Sequence, residues 1–218
     1  IGLDRDPQAL EAAASRLDRF GDRFSPVQTV FGEMPEALDR LGVGEVDGAL
    51  FDLGVSSRQI DDPERGFSYT LDGPLDMRMG PDAARSASDV LNDSSERDLA
   101  RVIREYGEER AANRIARAIV RQRGVEPLTR TSELARLVAE VVGGRLPHKS
   151  QARVFQAIRI EVNEELSGLE DALTRAARRL RPGGRVAVLS YHSLEDRISK
   201  RVIRGSTVSM APRDFPVR

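Results

Sequence analysis

Apolar runs without a helical period alternate with amphipathic segments over the first part of the chain. The runs at residues 1–3, 27–31 and 47–53 predict strands, and the segments at 7–19 and 35–41 predict helices. This β-α-β-α-β order is typical of a parallel, doubly wound sheet. The third run has few polar positions, so we expect that strand to be buried on both faces.

The pattern changes after about residue 80, where a helical period replaces the short apolar runs. Ser94 is well placed to cap a helix whose apolar stripe contains Leu99 and Ile103. Three further amphipathic segments predict helices at residues 108–123, 131–142 and 151–177, the last of them broken near Gly168.

A last apolar run, at residues 185–190, predicts that the chain returns to the sheet. The simplest architecture is therefore an α/β domain interrupted by a helical insert. We assign residues 1–80 and 168–218 to the α/β domain, and residues 81–167 to the insert.

Acidic residues close two of the predicted strands. Asp4 ends the first, and Asp52 ends the third and precedes a glycine and two serines. Because open α/β sheets bind ligands at the carboxyl ends of their strands, both acids are candidate ligand-binding residues. The alternative is local capping, in which Asp52 caps the next turn through Ser56 and Ser57. Asp4 or Asp6 could likewise cap the first helix, and Asp6 can do so while Asp4 faces a ligand.

Further candidate residues follow the strands. Phe31 could stack on a flat ring or belong to the core. His192 follows the last strand, where it could orient a substrate, relay a proton or make a structural hydrogen bond. The segment at 61–80 mixes charged residues, glycines, aromatics and methionines, and a long ordered loop of this kind is usually functional.

Composition narrows the function classes. The 218 residues include no cysteine, which excludes disulfides and thiolate metal sites and fits a reducing cytoplasm. We see no signal peptide, no apolar run long enough to cross a bilayer, and no metal-binding motif. The net charge of −1 conceals a local row of arginines, which is either a solvated helix face or a surface that follows a phosphate backbone: Arg110, Arg114, Arg117 and Arg121.

The sequence resembles the bacterial small-subunit ribosomal RNA cytosine-N4 methyltransferases of the RsmH (MraW) type. The most distinctive matching segment is Asp72-Gly-Pro-Leu-Asp-Met-Arg-Met79. The other matching segments follow in the expected order at 2–7, 51–59, 64–68, 106–110, 114–119, 155–163 and 190–197. The resemblance implies a Rossmann-like class I methyltransferase domain with an inserted helical domain, S-adenosylmethionine as methyl donor, and a cytidine N4 amine in the decoding region of 16S rRNA as acceptor.

The resemblance also implies roles for individual residues. Asp4 matches the acid that holds the ribose hydroxyls of the donor, and Phe31 the residue beside its adenine. Asp52 and Gln59 match further donor contacts, and Asp52 and His192 are the predicted catalytic residues. The partner is then the small ribosomal subunit, the location cytoplasmic, and a homodimer is compatible with the sequence. Three aromatic residues are candidates to hold the cytosine: Phe67, Tyr69 and Tyr191.

Two departures from the family pattern bear on these expectations. Relatives carry a strand and a Gly-Gly-His loop before the position where this chain begins, so we expect an N-terminally truncated sequence. The segment before residue 153 also lacks the His-Pro pair that many relatives carry. The alternatives are a methyltransferase with another acceptor and a non-enzymatic RNA-binding module. A dehydrogenase is disfavoured because no Gly-x-Gly-x-x-Gly motif occurs.

Overall fold

The computed structural model describes residues 1–144 and 147–206, and the chain folds into two compact units. Unit 1 consists of Ile1–Leu3, Thr29–Gly54 and Leu166–Arg218, and unit 2 of Asp4–Gln28 and Val55–Glu165. Contacts therefore group residues 4–28 and 55–80 with the helices, although the sequence analysis assigned them to the α/β domain. Residues 145–146 of the predicted insert and 207–218 of the predicted α/β domain lie outside the described residues.

The element order of the first part agrees with the prediction. Strand β1 (Gly2–Asp4), helix α1 (Pro7–Leu17), strand β2 (Pro26–Gln28), helix α2 (Met34–Arg40) and strand β3 (Val46–Asp52) follow one another. Most boundaries shift by one or two residues, and the largest difference is in the second strand: the strand predicted at 27–31 ends at Gln28, and Phe31 begins a short 3-10 helix, Phe31–Glu33. A second 3-10 helix, Asp18–Arg23, follows α1.

The sheet of unit 1 is a parallel pair formed by β3 and β4 (Leu180–Leu189). The register pairs Gly48 with Arg185 and Asp52 with Leu189, and the Leu53 amide extends it by donating to the Leu189 carbonyl at 3.1 Å. Both strands therefore end at the same edge of the sheet. Helix α9 (Leu169–Arg178) precedes β4, and α10 (Ser193–Ser206) follows it.

The two faces of this sheet differ in burial. On one face, Phe51 and Val188 join a core that includes Leu38 of α2 and Leu173 of α9. On the other face Leu50 is 67% exposed and Leu189 is 48% exposed. The expectation that β3 is buried on both faces was therefore wrong, because α2 and α9 add their apolar stripes to one face only.

Unit 2 is mainly helical. The bounds of its remaining helices are Ser57–Asp61 (α3), Ala87–Asp93 (α4), Glu96–Glu105 (α5), Ala112–Arg123 (α6), Thr131–Val142 (α7) and Pro147–Asn163 (α8), with a 3-10 turn at Pro63–Arg65. The predicted stripe of α5 is confirmed, since Leu99 and Ile103 are fully buried. The cap lies one residue later than predicted: Ser95, not Ser94, accepts the Asp98 amide.

The predicted break near Gly168 is confirmed. Gly168 adopts a left-handed conformation with φ of 75°, and α9 begins at the next residue. A side chain with a Cβ rarely adopts this conformation, so glycine suits the break. Within residues 1–144 and 147–206, no helix has the length and apolar character needed to span a membrane.

Candidate functional site

The best-defined polar cluster of unit 1 lies at the edge where β3 and β4 both end. The Tyr191 hydroxyl donates a hydrogen bond of 2.9 Å to Oδ1 of Asp52. This hydrogen bond and the charge of Asp52 raise the pKa of Tyr191. Asp52 itself is exposed, and it does not act as the cap that the alternative interpretation required. Ser56 caps helix α3 instead, in a reciprocal arrangement with Gln59.

Glu195, in the first turn of α10, orders the residues just beyond β4. Its carboxylate is 2% exposed, and one oxygen accepts the Tyr191 amide at 3.0 Å. The other oxygen lies 3.2 Å from Nε2 of His192. That distance suits an ion pair with a protonated imidazole, but the angles do not complete a hydrogen bond. Within the described residues both ring nitrogens of His192 are therefore buried without a hydrogen-bond partner.

This burial bears on the predicted role of His192. Its side chain is only 7% exposed, so a substrate could not reach it without a local rearrangement. Neither ring nitrogen of His192 bonds to Asp52, whereas the Tyr191 hydroxyl does. A catalytic role for His192 stays a prediction.

Phe31 belongs to the same unit and is half-buried against its core. The next residue, Gly32, is also held in place, since its carbonyl accepts a hydrogen bond of 3.2 Å from Arg175 of α9. Phe31 is thus packed against the core without being fully buried, so the core and ligand-stacking interpretations are compatible.

In unit 2, Asp4 and Gln59 are connected through Asp6. The Asp6 amide donates to Oδ1 of Asp4 at 2.8 Å, and the Gln59 side chain donates to Oδ2 of Asp6 at 2.9 Å. Oδ1 of Asp6 accepts the Gln8 amide and so caps α1. The structure thus has Asp6 as the cap and leaves Asp4 exposed, which is one of the two arrangements that the sequence allowed.

Burial affects the carboxylates of Asp4 and Asp6 differently. Partial burial of its carboxylate raises the pKa of Asp4, and the hydrogen bond from the Asp6 amide opposes this shift, while the residue as a whole stays exposed. Asp6 is 3% exposed and is neutralised by Arg65, whose guanidinium lies 2.9 Å away. A buried carboxylate with three hydrogen-bond donors is a structural anchor rather than a ligand-binding group.

Arg65 connects the start of α1 to the loop before α4. Besides Asp6, it donates to the Gln8 side chain at 3.0 Å and to the carbonyls of Arg78 and Met79 at 3.1 and 3.2 Å. Asp6 and Arg65 were not predicted from the sequence as organising residues. The signal for Asp6 was its position as a cap, whereas no local pattern distinguished Arg65.

Asn163, the last residue of α8, fixes the far end of the same loop. Its side chain accepts the Met79 amide at 2.8 Å and donates to the Met77 carbonyl at 2.7 Å. Met77 is fully buried and has a positive φ of 59°, which costs free energy in a residue other than glycine. The distinctive segment at 72–79 is therefore held in one conformation by hydrogen bonds from outside it.

The predicted arginine row lies on α6 and on the turn before it. All four side chains are exposed, and the spacing of the last three places them along one face of α6: Arg110, Arg114, Arg117 and Arg121. Arg117 makes an exposed ion pair of 3.6 Å with Glu96. Arg123, two residues after Arg121, lies on another side of α6 and donates to the carbonyls of Leu91 and Ser94.

Comparison with known proteins identifies the family. A sequence profile described as the MraW methylase family matches residues 1–218. The chain belongs to this family. The family assignment confirms the resemblance on which the expected donor and acceptor were based.

Individual relatives agree with this assignment, and each is a protein called ribosomal RNA small subunit methyltransferase H. The one from Beutenbergia cavernae is 51% identical over 100% of this chain and 66% of its own length. The one from Carboxydothermus hydrogenoformans is 50% identical over 100% and 71%. The one from Kineococcus radiotolerans is 53% identical over 99% and 56%. The chain thus spans 56% to 71% of the length of these relatives.

Proposed function

We propose that this MraW-family chain provides part of an S-adenosylmethionine-dependent methyltransferase that modifies a cytidine N4 amine in the decoding region of 16S rRNA. The observation that carries the proposal is the pair of exposed strand-end acids, Asp4 and Asp52, in a chain of this family. Asp52 lies at the carboxyl end of the parallel pair, where open α/β sheets bind ligands, and Asp4 ends β1. The names of the relatives support RNA of the small ribosomal subunit as the substrate.

The proposed fold is a Rossmann-like class I methyltransferase domain with an inserted helical domain. The parallel pair of β3 and β4, with α9 leading into β4, supports the first part. The run of helices from α4 to α8 supports the second. We keep the division predicted from the sequence, with residues 1–80 and 168–218 in the methyltransferase domain and 81–167 in the insert.

The residues present suit the methyl donor. Each exposed carboxylate offers oxygen acceptors, and the hydroxyl and amine groups of a nucleoside are donors that a carboxylate binds well. Asp4 would hold ribose hydroxyls, and Phe31 would contact the adenine with its accessible part. Asp52 would be the second residue of unit 1, after Phe31, to contact the donor. Gln59 is 6% exposed, with its amide bonded to Asp6 and to the Ser56 backbone, so its proposed contact is limited to what its remaining N–H can reach.

Asp52 also suits the acceptor. Bound S-adenosylmethionine supplies an electrophilic methyl group, whereas the cytosine amine is a weak nucleophile because its lone pair is delocalised into the ring. Hydrogen-bond acceptors that orient the amine and favour its pyramidal form lower this barrier. The Asp52 carboxylate and the carbonyls of Leu53 and Gly54 are such acceptors at the strand end. A strong base is unnecessary, since the amine proton becomes acidic as the new N–C bond forms.

The arginine row of unit 2 is the proposed RNA-binding surface. Three exposed guanidinium groups along one face of α6, with a fourth on the turn before it, can contact successive phosphates. The intervening residues Ile115 and Ala116 are fully buried, so the other side of α6 is committed to the core. The partner would then be 16S rRNA or the small ribosomal subunit. A cytoplasmic location and a homodimer remain predictions.

The deciding experiment incubates the full-length protein with labelled S-adenosylmethionine and small-subunit rRNA, either naked or in the subunit. Mass spectrometry of the digested nucleosides should detect N4-methylcytidine. Asp52→Ala should abolish it while RNA binding persists. Asp47→Ala is the matched control, because Asp47 is an exposed acid near the other end of β3 whose ion pair is with Arg181.

The alternatives predict other results. Donor consumption without RNA methylation would indicate another acceptor. RNA binding without any donor binding would indicate a non-enzymatic RNA-binding module. Full N4-methylcytidine formation by Asp52→Ala would remove Asp52 from the site.

A further inference from the structure

We propose that Tyr191 presents the aromatic ring on which the cytosine to be methylated stacks, and that Asp52 and Glu195 fix the direction in which this ring faces. The inference rests on the proposed function and adds a residue that holds the base. The sequence alone left three aromatic residues open for this role, and their surroundings distinguish them.

Two of the three rings are committed to the core of unit 2. Phe67 is 8% exposed, and the guanidinium of Arg65 lies over its ring at 5.8 Å. Tyr69 is partly buried and packs edge-to-face on Phe155, with ring centroids 6.0 Å apart. Neither ring presents an open face to a base. Tyr191 is 69% exposed, and it lies beside the strand-end carboxylate that is proposed to hold the amine.

An exposed tyrosine normally samples several rotamers, but Tyr191 is fixed at both ends. Its hydroxyl donates to Asp52 at 2.9 Å, and its backbone amide donates to the buried carboxylate of Glu195 at 3.0 Å. The ring lies against Gly54, where a Cβ would be in ordinary van der Waals contact, 3.5 Å from Cδ2 of Tyr191. A ring held in this way is preorganised, so a base can stack on it with little further loss of entropy.

The chemistry of base methylation calls for such a ring. An enzyme that acts on a base within RNA must remove that base from its stack, and an aromatic side chain replaces the lost stacking. The exposed face of the sheet adds apolar surface next to the ring, because Leu189 pairs with Asp52 in the register and is 48% exposed. The carboxylate and the ring would then contact the amine and the face of one cytosine.

The competing explanation is that Tyr191 is an apolar surface residue without contact to the substrate. Two variants separate these roles. Tyr191→Leu keeps apolar bulk and removes the ring, whereas Tyr191→Phe keeps the ring and removes only the hydrogen bond to Asp52. A packing role tolerates leucine, but a stacking role does not.

The experiment uses the full-length protein and an RNA oligonucleotide of the target sequence with a fluorescent cytosine analogue at the target position. Stacking should quench the fluorescence with wild type and Tyr191→Phe, but not with Tyr191→Leu. For unmodified RNA, Tyr191→Leu should lower kcat/KM about 5- to 150-fold, the range expected for loss of one base–aromatic stack. Tyr191→Phe should lower it about 2- to 10-fold. Calorimetric affinity for S-adenosylmethionine should be the same in wild type and Tyr191→Leu.

Quenching and kcat/KM at wild-type levels in Tyr191→Leu would overturn the inference while leaving the proposed function intact. A fall in donor affinity equal to the fall in kcat/KM would also overturn it, because Tyr191 would then act through the donor site. Failure of the wild-type protein to methylate RNA at all would reject the proposed function, and the inference would fall with it.

Discussion

The hydroxyl of Tyr191 donates a 2.9 Å hydrogen bond to Oδ1 of Asp52, and so joins the residue at the end of β3 to the segment after β4. The parallel register explains why the two side chains meet. Asp52 pairs with Leu189, and Tyr191 follows Leu189 by two residues along the chain. The two residues are far apart in sequence, so only the pairing of the strands brings them together.

The ionised Asp52 stabilises the protonated phenol of Tyr191 and thereby raises its pKa. Asp52→Asn removes the negative charge but keeps the shape, so the pKa of Tyr191 should fall toward its ordinary value. The change is measured by ultraviolet absorbance titration of phenolate formation, with Tyr191→Phe used to subtract the other two tyrosines. An identical titration in wild type and Asp52→Asn would show that the two groups are not coupled in solution.

The buried carboxylate of Asp6 should contribute strongly to the stability of unit 2. Asp6→Ala removes the cap of α1 and leaves Arg65 and Gln59 without their shared acceptor. We expect a loss of about 2–4 kcal/mol, measured by urea denaturation. Glu11→Ala, at an exposed position of the same helix, is the control and should change stability by less than about 0.5 kcal/mol. Equal stability of the two variants would contradict the anchoring role of Asp6.

Asp72 should titrate well below an ordinary aspartate. The hydrogen bond from Arg130 is the largest cause, and it lowers the pKa of Asp72 from 3.8 to about 2. Because the folded-state pKa is depressed, the stabilising effect of ionised Asp72 is complete above its ordinary pKa. The effect is lost as the pH falls through about 2. Carbon NMR of the side-chain carboxyl measures this titration directly.

The same titration in Arg130→Ala provides the comparison for Asp72. Removal of the guanidinium should return the pKa of Asp72 toward 3.8. An ordinary pKa in the wild-type protein would mean that this exposed ion pair does not form in solution.

The arginine row should affect RNA binding through electrostatics. Reversing charge in the double variant Arg114→Glu, Arg121→Glu should weaken binding and reduce the slope of log K against log salt by roughly 1.4 to 1.8, if each residue contacts one phosphate. Fluorescence anisotropy across a salt series measures both quantities. The charge-matched control is the double variant Arg16→Glu, Arg40→Glu, at exposed positions of α1 and α2. A double variant with the salt dependence of wild type would place the RNA-binding surface elsewhere.

Local sequence patterns predicted helix boundaries well where a single proline or glycine determines the backbone conformation. Pro7 and Gly168 mark real helix boundaries, and the stripe of α5 is buried as its spacing predicts. The burial of β3 was predicted wrongly, because the same apolar sequence can form a strand that is covered on one face or on both. Exposure of Leu50 depends on which helices pack on the sheet, and the sequence of the strand does not contain that information.

The candidate site was also predictable only in part, because a local pattern marks some of its residues and not others. Strand-end acids follow a general rule of α/β sheets, so Asp4 and Asp52 could be selected from the sequence. The side-chain partners of Asp52 and of Asp6 could not be predicted, because they come from distant segments. Tyr191 reaches Asp52 from the end of β4, and Arg65 reaches Asp6 from the loop after α3. Contacts of this kind depend on tertiary structure and leave no periodic signal.

The most direct test of the account is calorimetric titration of S-adenosylmethionine into the full-length protein and into two variants, Asp52→Ala and Asp47→Ala. We expect wild type and Asp47→Ala to bind S-adenosylmethionine with equal affinity. Asp52→Ala should bind it about 10- to 150-fold more weakly, the range for loss of a hydrogen bond to a charged group. Equal affinity in all three proteins would contradict the proposal that the carboxyl end of β3 holds the methyl donor.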